Sequence, residues 1–289
     1  MLSSMYRFQN FHGTYYIEDS MKKIFIPTPL TDNIIIPKDI THHILHVFRH
    51  DMRKPVTVSG SDGQTGSYLI TAEIDGAAYA QLCELLPSQT QMSRVILVQS
   101  LLKGEKLEWV LQKATELNVD AVYLVATANN VVKYDDKKLM SKASRWEKIM
   151  QEASQQCGRN QLPTLVVDQT LPQVLDIESD ALQLVAYENE TGRTLKDALV
   201  DFKQKTLSDF NQTTVENSNN SNGVIIAPTQ APTQPTVLIC IGPEGGFHQK
   251  EIDAMSERGV ESVTLGNTIL RAETAAISSI AMINYELEL

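Results

Sequence analysis

The chain has 289 residues and a formal net charge of −10, long enough for one large or two ordinary domains, each with its own core. No apolar run approaches the roughly 20 residues of a membrane-spanning helix. The opening stretch lacks the basic and apolar regions of a signal peptide, so a cytoplasmic chain with no membrane partner is expected. The acidic balance counts against a nucleic-acid partner, because phosphate contacts want cations. Binding surfaces are local, however, and Lys103 to Arg159 carries ten Lys or Arg against eight Asp or Glu.

Residues 1–20 precede a second methionine and read as an N-terminal extension, loosely tied down. Residues 21–90 read as a small β-rich domain with one helix. That helix begins near Pro37, with Ile40, Ile44, Leu45 and Phe48 at helical spacing and Asp39 or Thr41 as its cap. Val56–Ser59 and Ser67–Ile74 then read as strands around glycine-rich turn chemistry.

From about residue 92 strands and helices alternate. Strands are predicted at Val95–Val98, Val119–Val125, Ala181–Tyr187, Thr236–Ile241 and Ser262–Leu265. Helices are predicted at Lys106–Leu117, Lys138–Gln156, Thr194–Phe202, Gln249–Arg258 and Glu273–Leu287. Such alternation implies an α/β fold with a mostly parallel sheet. Residues 204–235 are polar and Pro-rich and read as a flexible surface insertion. The three cysteines, Cys83, Cys157 and Cys240, form no CxxC pair and are expected to be reduced and mostly buried.

Two segments carry candidate chemistry. Gly242-Pro243-Glu244-Gly245-Gly246 follows a buried strand and leads into a helix. Glycines there let a ligand approach the backbone, and in open α/β sheets ligands sit beyond the carboxyl ends of strands. A tight strand-to-helix turn would look the same locally. The second segment, Thr264 to Ala276, places Gly266 after a short strand and Arg271, Glu273 and Thr274 at the opening of the last helix. Free N–H groups collect at such a helix start, although Glu273 or Thr274 also suits a plain cap. Two glycine loops, each after a strand, favour a shared pocket over two unrelated turns. No GxxxxGK[ST] and no GxGxxG after the first strand occur, which excludes the common phosphate and dinucleotide loops.

His42, His46 and His50 share a helix face, but no Cys or carboxylate completes a tetrahedral set, so no metal is expected and a polar face touching RNA phosphates is preferred. The helix around Trp146, Ile149, Met150 and Ala153 is amphipathic and ends at Gly158. Its polar end, Gln156, Arg159 and Asn160, is either an RNA contact or a helix terminus.

Together Lys103–Leu117, Glu152–Pro163, Gly242–Gly246 and Leu265–Ala275 resemble the RsmE family of the SPOUT methyltransferase superfamily. The resemblance runs from about Met21 to the C-terminus, interrupted by residues 204–235. It implies a PUA-like β-barrel RNA-binding domain at residues 21–90. It implies a SPOUT-type methyltransferase domain at residues 91–289 with a deep trefoil knot, a rare exception to unknotted chains. It further implies a homodimer that uses S-adenosyl-L-methionine to methylate uridine N3 in the 16S rRNA of the small ribosomal subunit.

By the same resemblance the cofactor is bound at Gly242, Glu244, Gly245, Gly246, Leu265, Gly266, Ile269, Leu270, Thr274 and Ala275. From their position beside the second loop, Arg271 is expected to stabilise the developing uridine anion and Glu273 to accept the proton or cap the helix. His43, Arg49, Lys103, Lys113 and Arg159 are expected to meet RNA. The chain departs from the family at Ala128-Asn129, where a Glu-Arg pair is usual, at Thr268, where an arginine is common, and at Asn118, where glycine is usual. A methyltransferase acting on another RNA site and a non-catalytic RNA-binding relative remain alternative readings.

Overall fold

The computed structural model describes residues 23–87, 93–134, 136–218 and 234–288. The expected extension at residues 1–20 lies outside them, as do residues 219–233 of the expected insertion. The chain divides into two units, one through Pro87 and one from Ser88 onward.

The first unit is a five-stranded sheet in the order β1 (Ile24–Phe25), β3 (Val56–Ser59), β4 (Thr65–Ile74), β5 (Ala77–Leu86), β2 (Asn33–Ile36). Ile34, Ile36, Val56, Val58, Tyr68, Ile70, Ala78 and Ala80 point to one buried core, the period of two expected for strands. β5 was not foreseen, because its Ala, Gln, Leu and Glu are better helix than strand formers. The turn before it overrides that preference. Asp75 and Gly76 both take positive φ, +51° and +81°, the backbone of a two-residue type I′ hairpin. Ile74 and Ala77 consequently pair directly, and β5 runs back along β4.

The helix of this unit, α1 (Lys38–His42), has no side-chain cap at Pro37. Thr41 instead sits inside, donating to the Ile36 carbonyl at 2.9 Å and accepting from the Ala78 N–H at 2.9 Å. A π-helical turn, His43–Val47, follows α1 and is capped by Phe48, and Arg49 just beyond has φ +53°.

The second unit is a six-stranded, all-parallel sheet. Its order is β11 (Glu261–Val263), β9 (Leu182–Ala186), β10 (Thr236–Ile241), β6 (Arg94–Ser100), β7 (Ala121–Val125), β8 (Thr164–Val166). Parallel strands are covered on both faces and so read as continuous apolar runs. Val95 and Leu97 of β6 join a core with α2 (Glu105–Glu116), α3 (Asp136–Cys157), α5 (Leu195–Ser218) and α7 (Ala272–Glu288). Ile96 and Val98 join the opposite core with α4 (Leu171–Ile177) and α6 (Gln249–Ser256). The result is helix, sheet, helix in three layers.

Two departures from the sequence reading stand out. The short α4 was missed, although Thr170 and Gln173 form a capping box with Pro172 beside it. Residues 204–218, read as flexible insertion, continue α5 as helix. Phe202 packs on the core and the Lys203 ammonium donates to the Glu286 carbonyl at 2.7 Å, anchoring α5 where its polar stretch begins. A polar composition does not by itself break a helix that is anchored. Cys83 and Cys157 are exposed, against expectation, and only Cys240 is buried.

One ion-pair network ties α4 to the sheet. Arg94 grips the Glu178 carboxylate with both terminal nitrogens, at 2.7 and 3.1 Å, and the Tyr123 hydroxyl donates to it at 2.8 Å. Burial and that hydrogen bond push the Tyr123 phenol up to about 12. For Glu178, burial acts to raise the carboxyl, but the hydrogen bonds from Arg94 and Tyr123 and the Arg94 charge outweigh it and hold it below its usual range. A depressed folded-state carboxyl contributes stability above its unfolded pKa, about 4.3, and loses it as pH falls through the folded value. Glu178→Gln should therefore cost about 1–3 kcal/mol in urea unfolding at pH 7. The gap from wild type should close below about pH 4; a gap that is constant with pH would show that the charge plays no part.

Candidate active site

β10, β9 and β11 are parallel neighbours whose carboxyl ends fall together at Ile241, Ala186 and Val263. Beyond them opens a cleft of roughly 750 Å³, within the size range of small-molecule sites. Its walls are the loop 242–247, the loop 264–271, the segment Tyr187–Thr191, the first turn of α7 and Lys106 of α2. The two glycine loops singled out in the sequence thus share one cavity.

The first loop is held largely from outside itself. Gln99, fully buried at the end of β6, donates to the carbonyls of Ser100, Ile241 and Gly242 at 3.0, 3.5 and 3.4 Å. The Asn129 amide donates to the carbonyls of Gly245 and Gly246 at 3.2 and 3.1 Å. Gly245 is packed so closely that a Cβ there would lie 3.2 Å from the Asn129 Cβ. The Glu244 carboxylate accepts from the Lys103 N–H and the Lys106 ammonium, both at 3.2 Å, which fastens the loop to the start of α2. Burial works to raise the Glu244 carboxyl, but those hydrogen bonds and the Lys106 charge leave it lowered. Past the loop, Phe247 is buried, and His248 and Glu251 cap α6 reciprocally. Glu251 also accepts from the Ala128 N–H at 2.9 Å.

Gly246 has φ +67°, and a Cβ there would lie 2.5 Å from a Glu188 carboxylate oxygen. In the second loop the Thr264 hydroxyl donates to the Gly266 carbonyl at 3.0 Å. Gly266 has φ +139° and faces open space. Leu265 and Leu270 pack against the core, whereas Ile269 is 84% exposed at the rim. Arg271 is exposed, and its side chain makes no hydrogen bond or ion pair among the described residues. One carboxylate oxygen of Glu273 is buried without a hydrogen-bond partner among them. Ala275 lines the cleft; Thr274 does not, and its carbonyl accepts from the Ser278 hydroxyl at 2.7 Å. Sequence reasoning missed Gln99, Lys106, Asn129 and Glu188. Gln99 had a signal, a polar residue ending the otherwise apolar Val95–Val98 run.

The residues expected at RNA fall into two groups. His43, whose ring lies 4.9 Å from that of Phe48, and Arg49 are exposed in the first unit, and Lys103 is exposed before α2. Arg159 is turned inward instead. Its guanidinium donates to the Thr115 and Gln161 carbonyls at 3.1 Å each, closing the end of α2, and burial lowers its pKa. Lys113 holds both oxygens of Glu116, at 2.7 and 2.9 Å. Of the histidine row, His46 meets Glu73 at 3.2 Å and His50 meets the Lys54 carbonyl at 2.9 Å.

Gly246→Ala puts a side chain at a strained positive φ and pushes the flexible Glu188 carboxylate aside. It should weaken binding of an adenosine-containing ligand at least about tenfold, because only a bound state that keeps the loop path fits. Calorimetry checks this; unchanged affinity would remove the loop from the ligand site.

The RNA methyltransferase domain model matches residues 89–284. Ribosomal RNA small subunit methyltransferase E of Bacillus subtilis is 31% identical over 254 residues, covering 86% of this chain and 88% of the relative. The protein of that name in Mesomycoplasma hyopneumoniae is 26% identical, covering 94% and 96%. A Legionella pneumophila methyltransferase, solved in complex with its bound cofactor SAM, is 26% identical and superposes with a TM-score of 0.70 over 91% of this chain and 96% of its own. The Neisseria gonorrhoeae ribosomal RNA small subunit methyltransferase E bound to S-adenosyl methionine shares the fold, with TM-score 0.70, 24% identity and coverage of 92% and 97%. With the glycine loops at the strand ends and a match through both, the chain belongs to the RsmE family of RNA methyltransferases.

Proposed function

We propose that this protein transfers the methyl group of S-adenosylmethionine to N3 of a uridine in small-subunit (16S) ribosomal RNA. The observation that carries the reading is the cleft beyond β9, β10 and β11, formed by the segments that match the family. Its residues fit the cofactor. Gly266 leaves its backbone open to a ligand, and the exposed Ile269 offers an apolar edge for a base. Glu188, Glu190, Glu244 and Glu273 outnumber Lys106 and Arg271 around a cavity meant for a cationic molecule.

When bound, the cofactor supplies a methyl group already activated by its sulfonium. The protein aligns that methyl with a nucleophile, the proximity effect. Uridine N3 carries a proton and is a poor nucleophile until it leaves. Glu273 accepts that proton: its buried oxygen has no donor, and such an acceptor is costly to leave unmet. Arg271, exposed at the rim and without a side-chain partner among the described residues, stabilises the negative charge that develops on the uracil. The target base must leave its stack to reach the cleft.

The finer architecture follows the family. β10 lies between β9 and β6 while α7 packs back on β6 and β10, which is compatible with a trefoil knot. The first unit acts as a PUA-like RNA-binding barrel, its five-stranded sheet accompanied by the exposed His43, Phe48 and Arg49. Trp109 on α2 is 46% exposed and Tyr285 on α7 is 70% exposed, on helices that pack together, and they supply apolar surface for a homodimer. The protein works in the cytoplasm, where the ribosomal substrate is found; no described helix is long and apolar enough to cross a membrane.

The test supplies labelled S-adenosylmethionine and undermethylated small subunits, and maps the product by reverse-transcription stops. Label transfer with a new stop at one uridine is expected, because N3 methylation blocks base pairing. Arg271→Ala should lower turnover by about a hundredfold or more, the size of one lost anion-stabilising donor, with cofactor affinity little changed. Full turnover in that variant removes Arg271 from the chemistry. Intact cofactor binding without label transfer would contradict the proposed substrate.

A further inference from the structure

The cleft holds more negative charge than the reaction uses. Glu190 is occupied by the Gly192 and Arg193 N–H groups, at 2.7 and 3.2 Å. Glu244 is occupied by Lys103 and Lys106. Glu273 is given to the proton of N3 in the reading above. Glu188 is left over: it lines the cleft, it is exposed, and it makes no hydrogen bond or ion pair among the described residues. Its carboxylate rests against Gly246, with an oxygen 2.5 Å from where a Cβ would be. The absence of a side chain at Gly246 therefore serves two ends. It permits the left-handed turn, and it leaves room for a carboxylate directly over the glycine loop.

A solvated carboxylate at the wall of an adenosine-sized cleft, held by no partner among the described residues, is available to a cation that enters. S-adenosylmethionine brings two, its sulfonium and its amino group, against one carboxylate. We propose that Glu188 is the residue that reads the positive charge of the cofactor, so that charge and not only the adenosine surface selects the ligand. This rests on the cofactor reading of the cleft. A charge-assisted contact contributes more than a neutral one, and its removal leaves the shape of the site untouched.

The test is calorimetry of wild type and Glu188→Gln with three probes. These are S-adenosylmethionine, S-adenosylhomocysteine, which keeps the amino group but has a neutral sulfur, and 5′-methylthioadenosine, which lacks both charges. Glu188→Gln should weaken S-adenosylmethionine by about tenfold to a hundredfold and leave methylthioadenosine unchanged. An equal loss for S-adenosylhomocysteine would assign the contact to the amino group, and no loss would assign it to the sulfonium. The unliganded variant should unfold at the wild-type temperature, since Glu188 has no partner to lose among the described residues. Unchanged S-adenosylmethionine affinity, or equal weakening of all three probes, would overturn the role of Glu188. Failure of wild type to bind S-adenosylmethionine at all would instead overturn the cofactor reading itself.

Discussion

The loop that leaves β10 is held by hydrogen bonds from side chains that belong to other elements, and the cleft exists because of them. Gln99 reaches up from β6, Asn129 across from the end of β7, and Lys103 and Lys106 from the start of α2 through Glu244. A run containing three glycines has many conformations available when unfolded and would not keep one path unaided. Fixed carbonyls, a left-handed Gly246 and a reciprocal cap at His248 convert it into a rigid wall that launches α6. Positioning by a supporting shell is what a binding site needs if a reacting atom is to be held to a fraction of an ångström.

The parallel sheet dictates where this happens. Its central strands are buried on both faces, so residues such as Val95 to Val98 carry no polar chemistry. Polar side chains are best accommodated where the strands end and backbone groups need partners. Gln99 and Asn130 sit at such ends, Gln99 serving loop carbonyls and Asn130 bonding the Leu101 carbonyl. The acidic walls of the cleft also give the −10 charge of the chain a local meaning. Surplus carboxylate suits a cationic cofactor, whereas the phosphates of RNA favour cations, and Arg49 and Lys103 are exposed outside the cleft lining.

Much of this was legible in the residues. The alternation after residue 92 gave the parallel α/β class, and the two glycine segments marked both walls of the cleft. What was not legible depended on partners distant in sequence. Nothing local says that Arg159 turns inward to the end of α2, because its acceptors include Thr115, 44 positions away. Asn129 looked like a lost arginine, yet its short amide reaches two carbonyls 116 and 117 positions on. β5 goes unrecognised until the Asp75-Gly76 turn is taken into account, and α5 reads as broken until its anchor on α7 is seen. Motif order survives in the sequence; the use of a side chain by a remote backbone does not.

The most direct measurement is a crystal structure of this protein grown with S-adenosylmethionine. Cofactor density is expected between Gly242–Gly246 and Leu265–Leu270, with the loop backbones where they are now, since both walls are already formed. Density at another place in the second unit, with this cleft empty, would contradict the assignment of the strand-end cleft as the site of methyl transfer.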